Sequence, residues 1–324
     1  MAQSLADAMS VKETSPLHYE SLFPPGRMGN NGNIAYGGST MCVGVAAGHA
    51  SVAPGYHLYS ALGHFLGPTL TDRVIHCDVV VVRSTRTFVT RRVELSQRRD
   101  DGNMRPCMSL LLDFMAPERA AMRTYSARPS RSYGGVDDTP DMAEMRRAAV
   151  RSGLATEAQA RAHETAFALK DGFFEQRPCA EGVMAQNLTG MLVDAPHSQE
   201  HLPLAERTSA DWFRATQPLH GDGQHLAALA WIMDAALAFL PLAHSHSFFS
   251  EAGACSTLDF ALRVCVNSVD LNAWHLREMV SPAGAVGRTY SEGRLFDRTG
   301  TLVASMTQQC ILRPKPDAEK AAKL

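Results

Sequence analysis

Trp231-Ile232-Met233-Asp234 lies inside the apolar run from Leu226 to Leu242, and two strand-like segments follow it: Thr257-Leu258-Asp259 and Val303-Ala304-Ser305-Met306-Thr307-Gln308. The run reads as a buried helix and the segments after it as strands. An Asp within such a run is costly unless something pairs with it. Thr257 and Gln308, each beside strand-forming sequence, can supply hydrogen bonds. A carboxylate, a hydroxyl and a carboxamide together can hold a water and draw a proton from it, the minimum equipment for hydrolysing an activated acyl group. The competing expectation puts Asp234 on the wet stripe of an amphipathic helix. A Thr at the start of a strand is equally unremarkable. A buried Gln in an apolar strand, by contrast, needs partners.

Working outward, the same order of elements occurs twice. Ala35-Tyr36-Gly37-Gly38 opens an apolar run through Ala47, and strand-like segments follow near Ser60-Ala61-Leu62, then over 74–82, 88–97 and 108–114. After the second run come Ser256-Thr257-Leu258 and segments over 274–279, 287–297 and 302–312. Strands rich in Val and Thr with alternating Arg predict one buried and one wet face. Asp100-Asp101-Gly102-Asn103 and Asp297-Arg298-Thr299-Gly300 each fit a tight hairpin reversal. The pattern predicts an α+β chain of two repeats, with long helices over 36–50 and 225–240, each wrapped by a curved antiparallel sheet. The expected divisions are an N-terminal unit over 15–120, a linker and helical insertion over 121–170, a C-terminal unit over 171–315 and a tail over 316–324. Within the insertion, 128–140 reads as an exposed, protease-sensitive linker. Residues 141–170 read as helix with Asp141 as its cap. That helix is expected to cover the sheet or a substrate tunnel, or simply to join the units.

Composition narrows the function. A chain of 324 residues with 45% hydrophobic and 20% charged residues suits two globular units. A net charge of −2 gives no field for nucleic acid or an anionic membrane. The seven Cys lack paired or metal-like spacing and read as reduced thiols. Residues 1–12 lack the pattern of a signal peptide, and Asp234 interrupts the best candidate for a membrane span. An intracellular, soluble protein is expected, open to homo-oligomer formation. Ala322-Lys323-Leu324 resembles the Ser-Lys-Leu signal read by the peroxisomal import receptor, so a peroxisomal location is expected, with the cytoplasm as alternative. His220, His225, His244 and His246 cluster loosely but form no His-Glu-x-x-His helix or Cys/His array, so no metal and no cofactor are expected. No Gly-x-Ser-x-Gly elbow is present, which speaks against an α/β-hydrolase. Arg91-Arg92 and Arg98-Arg99 are candidates for phosphate contacts, although alternating Arg on a strand is usually a solvated face.

These segments resemble the acyl-CoA thioesterase II family. Ala35-Tyr36-Gly37-Gly38 is similar to the Phe-Gly-Gly start of that family's first helix, and Phe65-Leu66-Gly67-Pro68 to its next strand and turn. Ser84-Thr85-Arg86-Thr87-Phe88-Val89-Thr90-Arg91-Arg92-Val93 resembles its Arg-x-Gly-x-Ser-Phe-x-x-Arg-Arg-Val strand. Phe174-Glu175-Gln176-Arg177-Pro178 and Asp211-Trp212-Phe213-Arg214 resemble its Glu-x-Arg-Pro and Trp-Phe-Arg strands, and Gly293 through Arg313 its closing hairpin. The resemblance implies a double hotdog fold and hydrolysis of an acyl thioester, carried by CoA or by a carrier protein. It gives Asp234 the role of water-activating acid, with Trp231 where the family has Tyr. Thr257 and Gln308, matching Ser-Leu-Asp-His and Ala-Ser-x-x-Gln-Glu, would fix the water, with no acyl-enzyme. Backbone N–H groups at a helix start would polarise the thioester carbonyl. Phe260 replaces the family's His, Ser39 its Gln, and Leu62 a His found in many members. These losses are expected near the acyl and CoA channel, implying an altered acyl preference, such as a bulky or polyketide-like chain. The alternatives are a hotdog hydratase or dehydratase, a release enzyme of a polyketide-type pathway, and a non-catalytic acyl-thioester-binding subunit.

Overall fold

In the computed structural model, residues 2 and 4–315 are described, apart from positions 31, 119, 248 and 250. The tail tripeptide Ala322-Lys323-Leu324 lies outside the described residues. In chain order the elements are α1 (Leu5–Met9), β1 (Val11–Ser15), β2 (His18–Ser21), α2 (Gly37–Ala50), β3 (His57–Phe65), β4 (His76–Ser84), β5 (Phe88–Arg98) and β6 (Met104–Met115). Then come α3 (Met142–Arg151), α4 (Glu157–Phe173), β7 (Phe174–Pro178), α5 (Val183–Gln186), β8 (Thr208–Ala215), α6 (Gly221–Met233) and α7 (Leu240–His244). The chain closes with β9 (Ala252–Val264), β10 (His275–Ala285), β11 (Arg288–Phe296) and β12 (Leu302–Pro314).

The strands form one antiparallel sheet in the order β1-β2-β4-β5-β6-β3-β9-β12-β11-β10-β8-β7. Read from the middle outward, β3-β6-β5-β4-β2-β1 and β9-β12-β11-β10-β8-β7 are the same sequence of elements, so the β3/β9 seam relates two copies of one unit. Across the seam Ser60 faces Arg263 and Gly63 faces Phe260. The expected hairpins close β5 to β6 and β11 to β12, with Gly102 and Gly300 at φ +84° and +79°. Each unit sets its long helix in the core, and α2 and α6 also pack on each other. Both helices are buried on nearly every side, which is why their sequences read as continuous apolar runs rather than amphipathic stripes.

Two expectations are corrected. The second long helix spans 221–233 rather than 225–240: it starts one turn earlier and stops at Met233, with Asp234 as its C-cap and Ala236 at φ +83°. The chain leaves the helix there because a buried cation claims its last carbonyls. Arg277 Nη1 donates to Ile232 O at 2.6 Å and Ala235 O at 2.8 Å, while its other nitrogens hold the Asp211 carboxylate at 2.7 and 3.1 Å. The 128–140 segment is not a free linker. Ser130 and Tyr133 donate to Glu278, the Trp212 indole donates to Gly134 O, and Val136 is buried against Trp212 and Phe296. The exposed stretch lies just before it, at 121–128. Asp141 caps α3 as expected, accepting from Glu144 N.

Candidate active site

Asp234 is 5% exposed, which removes the wet-stripe reading. Its carboxylate is met from both units. From the C-terminal unit, Gln308 Nε2 donates to Asp234 Oδ1 at 2.6 Å, and Thr257 Oγ1 donates to Gln308 Oε1 at 3.3 Å while also lying within hydrogen-bond reach of the carboxylate, its single proton serving one acceptor at a time. From the N-terminal unit, the first turn of α2 presents the Gly38 N–H to it. A helix start carries free N–H groups and partial positive charge, so it is a suitable seat for an anion. Glycine is required there by close approach. A Cβ on Gly37 would stand 2.8 Å from Asp234 Oδ2, and one on Gly38 would stand 2.5 Å from the Trp231 carbonyl. Tyr36 Oη donates to Trp231 O at 2.8 Å and is also within hydrogen-bond reach of Asp234; its single proton serves one acceptor at a time.

Burial pushes the Asp234 carboxyl above the usual range, and bonds from Gln308, the Gly38 N–H, Tyr36 and Thr257 pull it back. Burial and the adjacent carboxylate push the Tyr36 phenol well up, so it stays a proton donor. The carboxyl is thus made more basic by desolvation while four donors converge on it.

The strands present these groups for identifiable reasons. Gln308 faces inward on β12, paired in register with Phe260 and Ser291. In the β9–β12 ladder Gln309 pairs with Asp259 but Cys310 pairs with Thr257, so Leu258 is an extra residue on β9. A bulge of this kind re-aims side chains. Here both Thr257 and Leu258 line a cavity of about 580 Å³. Asp234, Tyr36, Gly37 and Thr40 form its polar end, and Phe65, Phe167, Phe239 and Phe249 contribute apolar wall. Gln308, 1% exposed, sits behind the wall and ties Asp234 to Thr257 rather than touching the cavity.

Several site groups were not found in the sequence. The Thr40 hydroxyl, buried at the cavity wall, has no hydrogen-bond partner among the described residues. Tyr36 and the Gly38 N–H reach Asp234 from the opposite unit, a contact that no local pattern announces. Phe167 comes from the insertion, so α4 does wall the cavity, the first of the two expectations for it.

The three departures from the family pattern do not line the cavity. Ser39 accepts from the Trp231 indole at 3.2 Å, and Phe260 fills the space above Gly63 across the seam. The Ser39–Trp231 bond joins α2 to α6, so the two replacements form one structural contact. Leu62 pairs with Ala261 in the same seam. Arg91 is likewise unavailable to a ligand, since its guanidinium is spent on Ser51, Arg83 O and Ser84. The four histidines diverge: His220 is exposed ahead of α6, His225 accepts from Leu271 N, His244 meets Ser209, and His246 meets Val193 O. His197, Glu200 and His246 do bring ligand atoms within 4.8 Å of one another, but Arg207 stands 3.5 Å from His197 Nε2 and none of the three lines the cavity.

Comparison with known proteins assigns the family. Residues 24–115 match the family model described as the acyl-CoA thioesterase N-terminal domain, and residues 157–312 the acyl-CoA thioesterase C-terminal domain. The chain belongs to the acyl-CoA thioesterase family. It is a thioester hydrolase with the hotdog fold. Among solved structures it is similar to the acyl-CoA thioesterase II TesB2 from Mycobacterium marinum, at 18% identity and TM-score 0.68 over 97% of this chain and 100% of that one. The tesB protein of Mycobacterium avium subs paratuberculosis matches at 18% identity and TM-score 0.67 over 96% of this chain and 98% of that one. A conserved hot dog fold protein of unknown function from Alicyclobacillus acidocaldarius matches at 14% identity and TM-score 0.67, over 95% and 97%. A search of curated proteins found no match.

Proposed function

We propose that this thioesterase hydrolyses acyl-CoA by direct attack of a water held between Asp234 and Thr257. The observation that carries the reading is the buried Asp234 carboxylate, fixed by the Gln308 amide at 2.6 Å, at the polar end of an apolar cavity. Asp234 takes a proton from the water as its oxygen bonds to the thioester carbonyl carbon. The tetrahedral intermediate collapses with C–S cleavage, and the departing thiolate takes the proton from Asp234, giving carboxylic acid and free thiol. Gln308 holds Asp234 and, by accepting the Thr257 proton, turns the Thr257 lone pairs toward the water. With the Gly38 N–H already serving Asp234, the unpartnered Thr40 hydroxyl at the cavity wall is a donor available to the developing oxyanion. Hydration or dehydration of an acyl thioester usually wants an Asp–His pair, and no His lines the cavity among the described residues.

The acyl chain would lie among Phe65, Phe167, Phe239 and Phe249. Free-thiol release across a panel of acyl-CoAs varied in length and branching tests the assignment, and hydrolysis of none of them would overturn it. For location, we propose that Ala322-Lys323-Leu324 serves as a receptor-read peroxisomal address. A fluorescent fusion leaving that tripeptide free should colocalise with a peroxisomal marker and disperse when it is deleted; a cytosolic signal from the intact fusion would reject it.

A further inference from the structure

A second cavity, of about 430 Å³, opens at the turn end of the β5–β6 hairpin and gathers Arg73, Arg98, Arg99 and Arg105, with Leu70 and Gln97 beside them and Asp100 and Asp101 at the lip. The ladder accounts for the clustering. Gln97 pairs with Arg105 and Arg98 with Met104, so the last strand positions before the turn bring three of the arginines together. Four cations against two carboxylates leave the lining positive in a protein of net charge −2.

This cavity has no lining residue in common with the candidate active site, but consecutive residues of one segment line the two. Residues 65–69 line the acyl cavity, and Leu70 lines the arginine cavity. The segment between is pinned from behind. The Gln97 amide donates to Leu70 O and Arg73 O and accepts from Leu70 N, while Arg105 Nη2 donates to Pro68 O. Phe65, whose ring lies beside Gly37, is three residues from Pro68, roughly 10 Å of extended chain. Residues 66–69 thus form the segment of chain that runs from the acyl cavity toward the arginine cavity.

The arginines are incompletely paired. Arg105 Nε is buried without a hydrogen-bond partner, and neither Arg99 nor Arg105 has an ion pair among the described residues. Arg73 is itself held, by Asp72 through two nitrogens at 2.8 and 3.2 Å and by Arg98 O at 2.9 Å, but its contact with Asp100 at 3.1 Å involves a side chain 94% exposed and readily displaced by a stronger anion. Guanidinium groups converging on an open pocket suit phosphate oxygens, which they bind in pairs.

We infer that the Arg73/Arg98/Arg99/Arg105 cavity receives the phosphorylated nucleotide end of CoA, with the pantetheine arm crossing Leu66 to Thr69 to bring the thioester to Asp234. The inference rests on the acyl-CoA reading above and selects CoA, rather than a carrier protein, as the donor. It also assigns Asp100 as an internal counter-ion that the phosphate replaces.

The test separates the two claims by measuring binding as well as turnover. Calorimetry with free CoA and with 3′-dephospho-CoA should show tighter binding of CoA by the wild type. Replacing the exposed pair, Arg98→Gln with Arg99→Gln, should weaken CoA binding and raise KM for acyl-CoA by about tenfold or more, as expected for lost hydrogen bonds to a charged group. Hydrolysis of the matching N-acetylcysteamine thioester, which has no nucleotide, should be spared. Asp100→Asn should tighten CoA binding. Arg105→Gln is the more direct change, but Arg105 also supports Pro68, so the exposed pair keeps the test independent of folding. Equal CoA affinity in wild type and the double variant would overturn the nucleotide site while leaving hydrolysis standing. Tight CoA binding lost in the double variant, with no thioester hydrolysed by the wild type, would sustain the site and reject the catalytic reading.

Discussion

Gln308 Nε2 donates to Asp234 Oδ1 at 2.6 Å, across 74 residues of chain, and the same amide accepts from Thr257. One carboxamide thus fixes the orientation of both the acid and the hydroxyl that line the cavity. Gln308 itself stays behind the wall. In the proposed mechanism it positions the groups that hold the water rather than touching the water itself.

That geometry gives the first prediction, for pH dependence. The Gln308 bond is foremost among those opposing the upward push of burial on the Asp234 carboxyl. Gln308→Ala should lower kcat and move the acidic limb of the kcat/KM profile to higher pH, because the carboxyl then protonates more readily. An unshifted limb would remove Gln308 from this role.

Linkage gives a second prediction. A folded-state pKa raised above the unfolded value means that protonated Asp234 favours the fold, a contribution present below the unfolded pKa and lost as pH rises through the folded one. Asp234→Asn cannot lose it. The melting temperature of the variant relative to wild type should therefore rise between about pH 4, near the ordinary carboxylate pKa, and neutrality. A constant difference would contradict the burial cost.

Third, Arg277 holds the end of α6 and so the backbone on both sides of Asp234. Arg277→Met leaves the buried Asp211 carboxylate with the Gln176 amide but without its ion pair, and should cost about 3–5 kcal/mol, the usual range for one half of a buried ion pair. Adding Asp211→Leu should restore part of that stability but little of the turnover, since the Ile232 and Ala235 carbonyls stay uncapped. Chemical denaturation and kcat on the same samples separate the two effects.

Fourth, the aromatic wall should set chain length. Phe239 lies 4.8 Å from Phe249 and 6.5 Å from Phe167, ring centre to ring centre. Phe239→Ala should shift the kcat/KM optimum toward longer or bulkier acyl chains. A profile unchanged in shape would place the acyl chain elsewhere.

Much of the fold was legible because its signals are local. The repeated order of an apolar run and alternating strands, with Asp-Gly and Thr-Gly turns, is written in neighbouring residues. The end of α6 was not, because Arg277 sets it from a strand 43 positions beyond Asp234. The pinning of 128–140 was hidden for the same reason: its partners Trp212 and Glu278 lie far along the chain. At the site, Asp234, Thr257 and Gln308 could be picked out as costly or partner-seeking polar groups near apolar elements. Tyr36, Thr40 and the Gly38 N–H could not, since they reach the cavity only through packing of one unit against the other. Ser39 and Phe260 were expected at the channel because changed polarity suggests changed chemistry. In the fold they are packing partners of Trp231 and Gly63.

The central claim is that Asp234 activates the attacking water, and thiol release by wild type and Asp234→Asn tests it most directly. Using the acyl-CoA that the wild type hydrolyses best, the variant should lose roughly 10²–10⁴ in kcat, the usual worth of a general base, while CoA affinity measured by calorimetry stays within a few-fold. Equal turnover by the two proteins would contradict the account.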